Sequence, residues 1–398
     1  MSYQNWLSSV FLVVVVLATG AAGFNYFTDP WALNLRWVVD GVNRYKAETI
    51  GVGRLTKAYA VVRERPVAAV FGTSTAEQGI SPDHNVWNDV RPAINLAFPG
   101  ASISEISAFL QYAHAVVGLK RVVIGLDFFS FNTHLAPNPQ FREALAAMTN
   151  PLARMRPYIS SEMLFDGLRQ TWSQGDLGPY HLRSGQTDPQ SFHRWKLRIQ
   201  GHRHLFLFSE RGLTRGLLPA PVRRYEFQAG DAPSTIEQLS GLVNFLRRER
   251  IETKLFISPS HARQTEVIGE LGLWPQFERW KRQIASVVYD GNASVSSIVL
   301  WDFADYSSPL QEEVPQSPDG DMHWFWDSQH YKQELGDVVL AKLFGQPTSS
   351  AFDDFGRQLT GSNVEAVLAE IRQRRVAYVT THIKDVLEIK GIVEQQRN

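Results

Sequence analysis

The sequence contains no cysteine, and that absence removes disulfides, thiolate nucleophiles and thiolate zinc sites together. It suits an oxidising compartment without requiring one. Excess charge is missing as well: 40 Lys and Arg balance 40 Asp and Glu, so no global field draws the chain to nucleic acid or to an anionic surface, and no nucleic-acid partner is expected. Long apolar runs are absent beyond the amino terminus. What is present, 398 residues with 44% apolar and 20% charged content, is globular in character and long enough for one large or two modest cores.

The exception at the amino terminus is residues 7–24, which include four consecutive valines and only Ser8, Ser9 and Thr19 as polar members. That length is near the lower limit for crossing a bilayer. Trp6 on one side and Tyr26, Phe27 and Trp31 on the other resemble interfacial aromatic anchors. A transmembrane anchor is the preferred reading of residues 1–28. A cleaved signal peptide is the rival, since Gly20-Ala21-Ala22 offers small residues for a peptidase, although the basic leading region is missing. A buried core helix is the third. Arg36, Arg44 and Lys46 follow the run and argue against export, but large domains translocate largely regardless of such charges, so the rest of the chain is expected outside the cytoplasm.

Residues 29–65 read as a membrane-proximal helical stalk. Strand patterns then occur at 67–72, 93–98, 121–129, 253–258 and 297–303, with helical patterns at 104–117, 236–249, 275–288 and 331–344. This alternation predicts an α/β fold: a mostly parallel five-stranded sheet in a three-layer, flavodoxin-like sandwich spanning 66–345. Residues 133–230 break the period and read as an inserted cap; residues 346–398 read as a carboxyl-terminal helical extension. The insertion carries Arg194, Lys196, Arg198, Arg203, Arg211, Arg215, Arg223 and Arg224, which would suit an acidic polymer or simply a solvated surface. His202 and His204 lack further ligands at metal spacing, and Gly51-Val52-Gly53 follows no strand, so neither a metal nor a nucleotide cofactor is expected.

Chemistry concentrates in two places. Val-Ala-Ala-Val-Phe-Gly-Thr-Ser-Thr at 67–75 is an apolar run that breaks at a glycine and delivers Ser74 at its tip, which is how a parallel strand presents a nucleophile. A serine hydroxyl needs an imidazole to take its proton and a carboxylate to hold that imidazole's tautomer. Asp327 and His330 in Trp-Asp-Ser-Gln-His-Tyr offer both. Asp321-Met322-His323 just upstream is a second pair. Asp327 and His330 are preferred because the pair opens the helix predicted at 331–344, which leaves His323 as a neighbour or substrate contact.

The order of these blocks resembles the SGNH hydrolase superfamily, in particular its membrane-anchored bacterial branch related to alginate acetylation proteins and the teichoic acid D-alanylation protein. Ser74 matches the serine after the first strand, Gly100 in Leu-Ala-Phe-Pro-Gly-Ala-Ser the glycine after the second, and Asp327 with His330 the last block. The third block reads Gly-Leu-Asp-Phe-Phe-Ser-Phe-Asn (125–132) in place of Gly-x-Asn-Asp, and Asp321-x-His323 is similar to the signature of the alginate relatives. The resemblance implies Ser74 as nucleophile, His330 as base, Asp327 as its orienter, and Gly100 with Asn132 as oxyanion donors. His261, after the fourth strand, is either a substrate contact or a loop cap. It also implies an exported, inner-membrane-tethered periplasmic serine esterase or O-acyltransferase acting on acyl, chiefly acetyl, esters of a surface polysaccharide, with an acylated glycan or an acyl-donor membrane protein as partner. The alternative is a non-catalytic protein of that fold that binds polysaccharide or assists envelope assembly.

Overall fold

A computed structural model describes residues 2–46, 53–135, 138–174, 182–186, 188–218, 224–289 and 298–397, the side chains of 189–196, 198–199 and 397 excepted. Among these residues six strands form one mixed sheet: β1 (Ala68–Phe71), β2 (Ala93–Asn95), β3 (Arg121–Leu126), β4 (Glu252–Ile257), β5 (Ile298–Asp302) and β6 (Arg357–Gln358). Their spatial order is β2-β1-β3-β4-β5-β6, with the first five parallel and β6 antiparallel to β5. The expected count of five is thus corrected to six. β6 has two residues and no apolar alternation; only its pairing of Arg357 with Asp302 and Gln358 with Trp301 makes it a strand.

The helices are α1 (Tyr3–Thr28), α2 (Gly53–Glu64), α3 (Ser74–Gly79), α4 (Ile103–Val117), α5 (Phe141–Thr149), α6 (Pro151–Met155), α7 (Ser161–Trp172), α8 (Pro189–Gly212, kinked at Gly201), α9 (Thr235–Arg248), α10 (Ala262–Glu270), α11 (Trp274–Tyr289), α12 (Gln333–Leu343), α13 (Val364–Thr381) and α14 (Ile383–Arg397). Two of the sequence-predicted starts are set by capping boxes, in which Ser102 caps Glu105 N and Ser234 caps Glu237 N while each glutamate returns a bond to its serine's N–H.

The period-two alternation of strands sorts the core. Ala69 and Phe71 of β1, Val122, Ile124 and Leu126 of β3, and Leu255 and Ile257 of β4 face one apolar cluster, which α2, α4, α9 and α11 cover. Ala68, Val70, Val123 and Phe256 face the other, which α3 and α12 cover. Burial on both faces explains why these strands read as continuous apolar runs.

Two expected boundaries dissolve in this packing. Residues 53–64, assigned to a stalk, are α2, whose Ala58, Ala60 and Val61 lie in the first core. The buried Arg54 forks onto Glu105 (2.8 and 2.9 Å), and buried Lys57 meets Glu77 at 2.9 Å. Gly51 and Val52 lie outside the described residues. Residues 346–398, read as an extension, add β6 to the sheet and Leu359, Leu368, Ile371 and Ile389 to the same core. Arg263, buried in α10, ties α14 down through Asp385 (2.7 Å) and Glu388 (2.9 Å) while bonding Glu210 of α8 (2.7 Å).

Helix α1 is long and apolar enough to cross a membrane, and its apolar window is wholly exposed. That exposure removes the core-helix reading, since a core helix would be covered.

Candidate active site

The turn that carries Ser74 is built by steric exclusion. After β1, Gly72 adopts φ 145°, and a Cβ there would lie 2.8 Å from Ala76 Cβ and 3.0 Å from the Gly125 carbonyl oxygen, so only glycine passes. Thr73 then caps α3 through Thr75 N (3.3 Å), and Ser74 is its first helical residue. The far end of α3 is stapled by the buried amide of Asn95, which donates to Ala76 O (2.9 Å) and Ile80 O (2.8 Å). With Lys57 on Glu77, Ser74 is fixed at the carboxyl edge of the parallel strands, where open α/β sheets place their ligands.

Residues 324–332 form a tight hairpin opposite. Phe325 and Tyr331 bridge, Trp326 N donates to His330 O (2.8 Å), and Lys332 N donates to Trp324 O (2.7 Å). The sequence pattern predicts Asp327 and His330 at a helix start; they lie instead in this hairpin, and α12 begins at Gln333. Within it Asp327 Oδ1 accepts from the N–H groups of Gln329 (2.8 Å) and His330 (3.0 Å), a local turn that orients the carboxylate.

These two constructions meet. His330 Nδ1 is 2.8 Å from Asp327 Oδ2, and His330 Nε2 is 2.8 Å from Ser74 Oγ. Because a carboxylate only accepts, Nδ1 carries the proton and Nε2 is left to accept from the Ser74 hydroxyl. Burial disfavours the imidazolium, but the charge and hydrogen bond of Asp327, aided by Asp127 and Glu77, outweigh it and hold the His330 pKa above the ordinary histidine value.

The remaining predicted residues divide. His323 is exposed and edge-on to Trp324 at 4.0 Å, while Asp321 turns away from it and accepts from His202 Nε2 (3.0 Å) and Lys332 Nζ (3.2 Å). The imidazole on Ser74 is therefore His330 rather than His323. Gly100, at φ 63°, sits in a loop that Phe98 N ties to Gly72 O (3.2 Å), next to the serine turn. Asn132, expected as an oxyanion donor, instead spends its amide on Leu218 O (2.7 Å) and Arg224 O (3.1 Å), closing the loop after β3. Arg203 pairs with Glu388 and Arg215 with Gln396 (2.9 Å), so these two predicted polymer contacts hold α14; Arg223 and the side chains of Arg194, Lys196 and Arg198 lie outside the described residues.

His261 caps α10. It is buried, its Nδ1 accepts from Arg263 N (3.2 Å), and its Nε2 faces Glu312 O at 2.7 Å. Burial pushes its pKa down to about 4. A histidine held neutral in this way contributes stability above its unfolded value of about 6.5, and that contribution is lost as pH falls toward the folded value. Thermal unfolding of the full chain is expected to show wild type losing roughly 2–3 kcal/mol between pH 7 and 4.5 from this group, and His261→Gln losing correspondingly less. Equal losses in both would contradict the assignment.

Asp127 is what sequence reasoning missed. Its buried carboxylate accepts from Thr73 Oγ1 (2.8 Å) and Thr75 Oγ1 (3.0 Å), on either side of Ser74, and burial raises its pKa against these bonds and one from Ser258. The signal was available: β1 and β3 pair Phe71 with Ile124, and three residues further along each strand stand Ser74 and Asp127.

No family model and no curated protein matches the chain.

Proposed function

We propose that the chain is a membrane-tethered, extracytoplasmic serine esterase or O-acyltransferase of the SGNH type, acting on acyl esters of a cell-surface polysaccharide. The observation that carries this reading is the continuous hydrogen-bonded line from Asp327 through His330 to Ser74. The order of blocks along the chain and the parallel sheet support the family; the exposed apolar α1 supports the tether.

In the first half-reaction Ser74 Oγ attacks the acyl carbonyl carbon while His330 Nε2 takes its proton. The resulting oxyanion is met by the Ser74 N–H and by the loop of Gly100. His330 then protonates the departing alcohol, leaving an acyl-serine. Water, or a sugar hydroxyl deprotonated by His330, attacks that ester and releases Ser74, so hydrolysis and transfer differ only in the acceptor. The non-catalytic reading draws on Asp127: the third block supplies a carboxylate beside the serine turn where an amide donor is expected.

A membrane-impermeant fluorophosphonate tests both parts. Spheroplasts expressing the full chain are expected to become labelled, with the adduct on Ser74. The labelling rate should rise with pH along a limb lying above about 6.5, because His330 must be neutral to accept the proton and its pKa is raised. Labelling only after lysis would place the domain in the cytoplasm while leaving the chemistry. No labelling in either preparation of folded protein would favour the binding-only reading.

A further inference from the structure

We propose that α6, α7 and the loop at residues 36–44 form a collar that is itself immersed in the membrane surface around the exit of α1, so that the protein is held by its folded domain as well as by its anchor. This rests on reading α1 as membrane-spanning.

Helix α7 has two unlike faces. Met163, Gly167 and Gln170 point inward and hold the last turns of α1: a Cβ on Gly167 would lie 2.8 Å from Thr28 Oγ1 and 3.0 Å from the Phe24 ring, and Gln170 Nε2 donates to Thr28 O (2.9 Å). The turn before α7 holds the same place, since buried Asn25 donates to Tyr158 O (2.8 Å) and Ser160 O (3.2 Å). Outward, Phe165, Leu168 and Trp172 recur at helical spacing along one stripe, and Phe165 is 68% and Trp172 87% exposed. Leu152, Met155 and Ile159 continue this apolar surface on α6 and its following turn, at 81%, 59% and 71% exposed. Trp37, edge-on to Tyr26 of α1 at 5.6 Å, brings exposed Val38 and Val39 to the same end of the anchor.

Continuity with α1 decides the occupant. A 26-residue helix is about 39 Å long, more than the ~30 Å of hydrocarbon it must cross. Its apolar run ends at Phe24, so the last turn, with buried Asn25 and Thr28, stands in the headgroup layer, and that is the turn α7 grips. An uncovered row of Trp, Phe, Leu and Ile at that height, interspersed with exposed Arg156 and Arg169, has the composition of an interfacial segment, with arginine heads reaching phosphates while their stems lie on apolar surface. The collar also connects inward: the Tyr59 hydroxyl of α2 bonds Arg154 O, and α2 carries the Lys57 that meets Glu77 beside Ser74. The bilayer thus fixes the height at which the serine site works.

The absence of cysteine makes the test direct. Full-length single-cysteine variants Val14→Cys, Ile159→Cys, Phe165→Cys, Trp172→Cys and Leu387→Cys, nitroxide-labelled, are reconstituted in vesicles of phosphatidylethanolamine and phosphatidylglycerol. The ratio of oxygen to nickel-chelate collision rates is then measured by power saturation. Positions 159, 165 and 172 are expected to show a ratio several-fold above that of Leu387, an exposed apolar residue of α14, and below that of Val14. If those three match Leu387 while Val14 is deep, the collar is wrong and the anchor stands; if Val14 is also aqueous, the anchor reading itself fails. Aqueous values in lipid vesicles but protection in native membranes would overturn lipid as the occupant in favour of a protein partner.

Discussion

Ser74→Ala is expected to abolish fluorophosphonate labelling and to lower turnover of an activated acetyl ester on the order of 10⁴-fold or more, since it removes the hydroxyl that His330 is placed to deprotonate. That corresponds to about 5 kcal/mol or more of transition-state stabilisation. His330→Ala should cost nearly as much, because Ser74 would keep its proton. Asp327→Asn should leave the fold intact yet lower turnover strongly by permitting the wrong tautomer. His323→Ala is expected to change little, since that ring lies on Trp324 and in solvent. Initial rates and adduct mapping on the purified full chain measure all four. A Ser74→Ala protein that still labels or turns over at the wild-type rate, or a His323→Ala loss as large as that of His330→Ala, would move the chemistry elsewhere.

Gly336→Ala is the largest structural effect expected from one added methyl group. Helices α3 and α12 touch at Gly336, where an added Cβ would overlap the carbonyl group of Gly79. Backbone faces backbone there, so no side chain can rotate away. Overpacking of this kind costs typically 1–3 kcal/mol and more where nothing yields; about 3 kcal/mol is expected. Activity should fall further than stability. Helix α3 begins at Ser74 and α12 follows His330 by three residues, so separating them lengthens the Ser74–His330 hydrogen bond, and in the proposed reaction a shift of about 1 Å can cost on the order of 10²-fold. Gly241→Ala, an exposed helical position with nothing near its added Cβ, is the control and should be neutral or stabilise by up to about 1 kcal/mol. Circular dichroism melts and labelling rates compare the two. Equal melting points and rates would refute the glycine contact.

The sequence by itself determined the parallel strands, because burial on both faces demands uninterrupted apolar residues such as Val-Val-Ile at 122–124, and it determined helices whose caps are local, such as Ser102 with Glu105. Ser74, Asp327 and His330 were legible for the same reason: a glycine break after a strand and an Asp-x-x-His are patterns within a few residues. Tertiary structure decided what depends on partners far along the chain. β6 exists only through its pairing with β5; α2 is core, not stalk, only because α4 and α5 cover it; Asn132 and His261 are loop staples only because carbonyls of Leu218 and Glu312 reach them. Asp127 joins the serine turn through the register of β1 and β3. Choosing His330 over His323 likewise required three dimensions, because a hydrogen bond senses distance and direction across 256 residues of sequence, and local pattern carries neither.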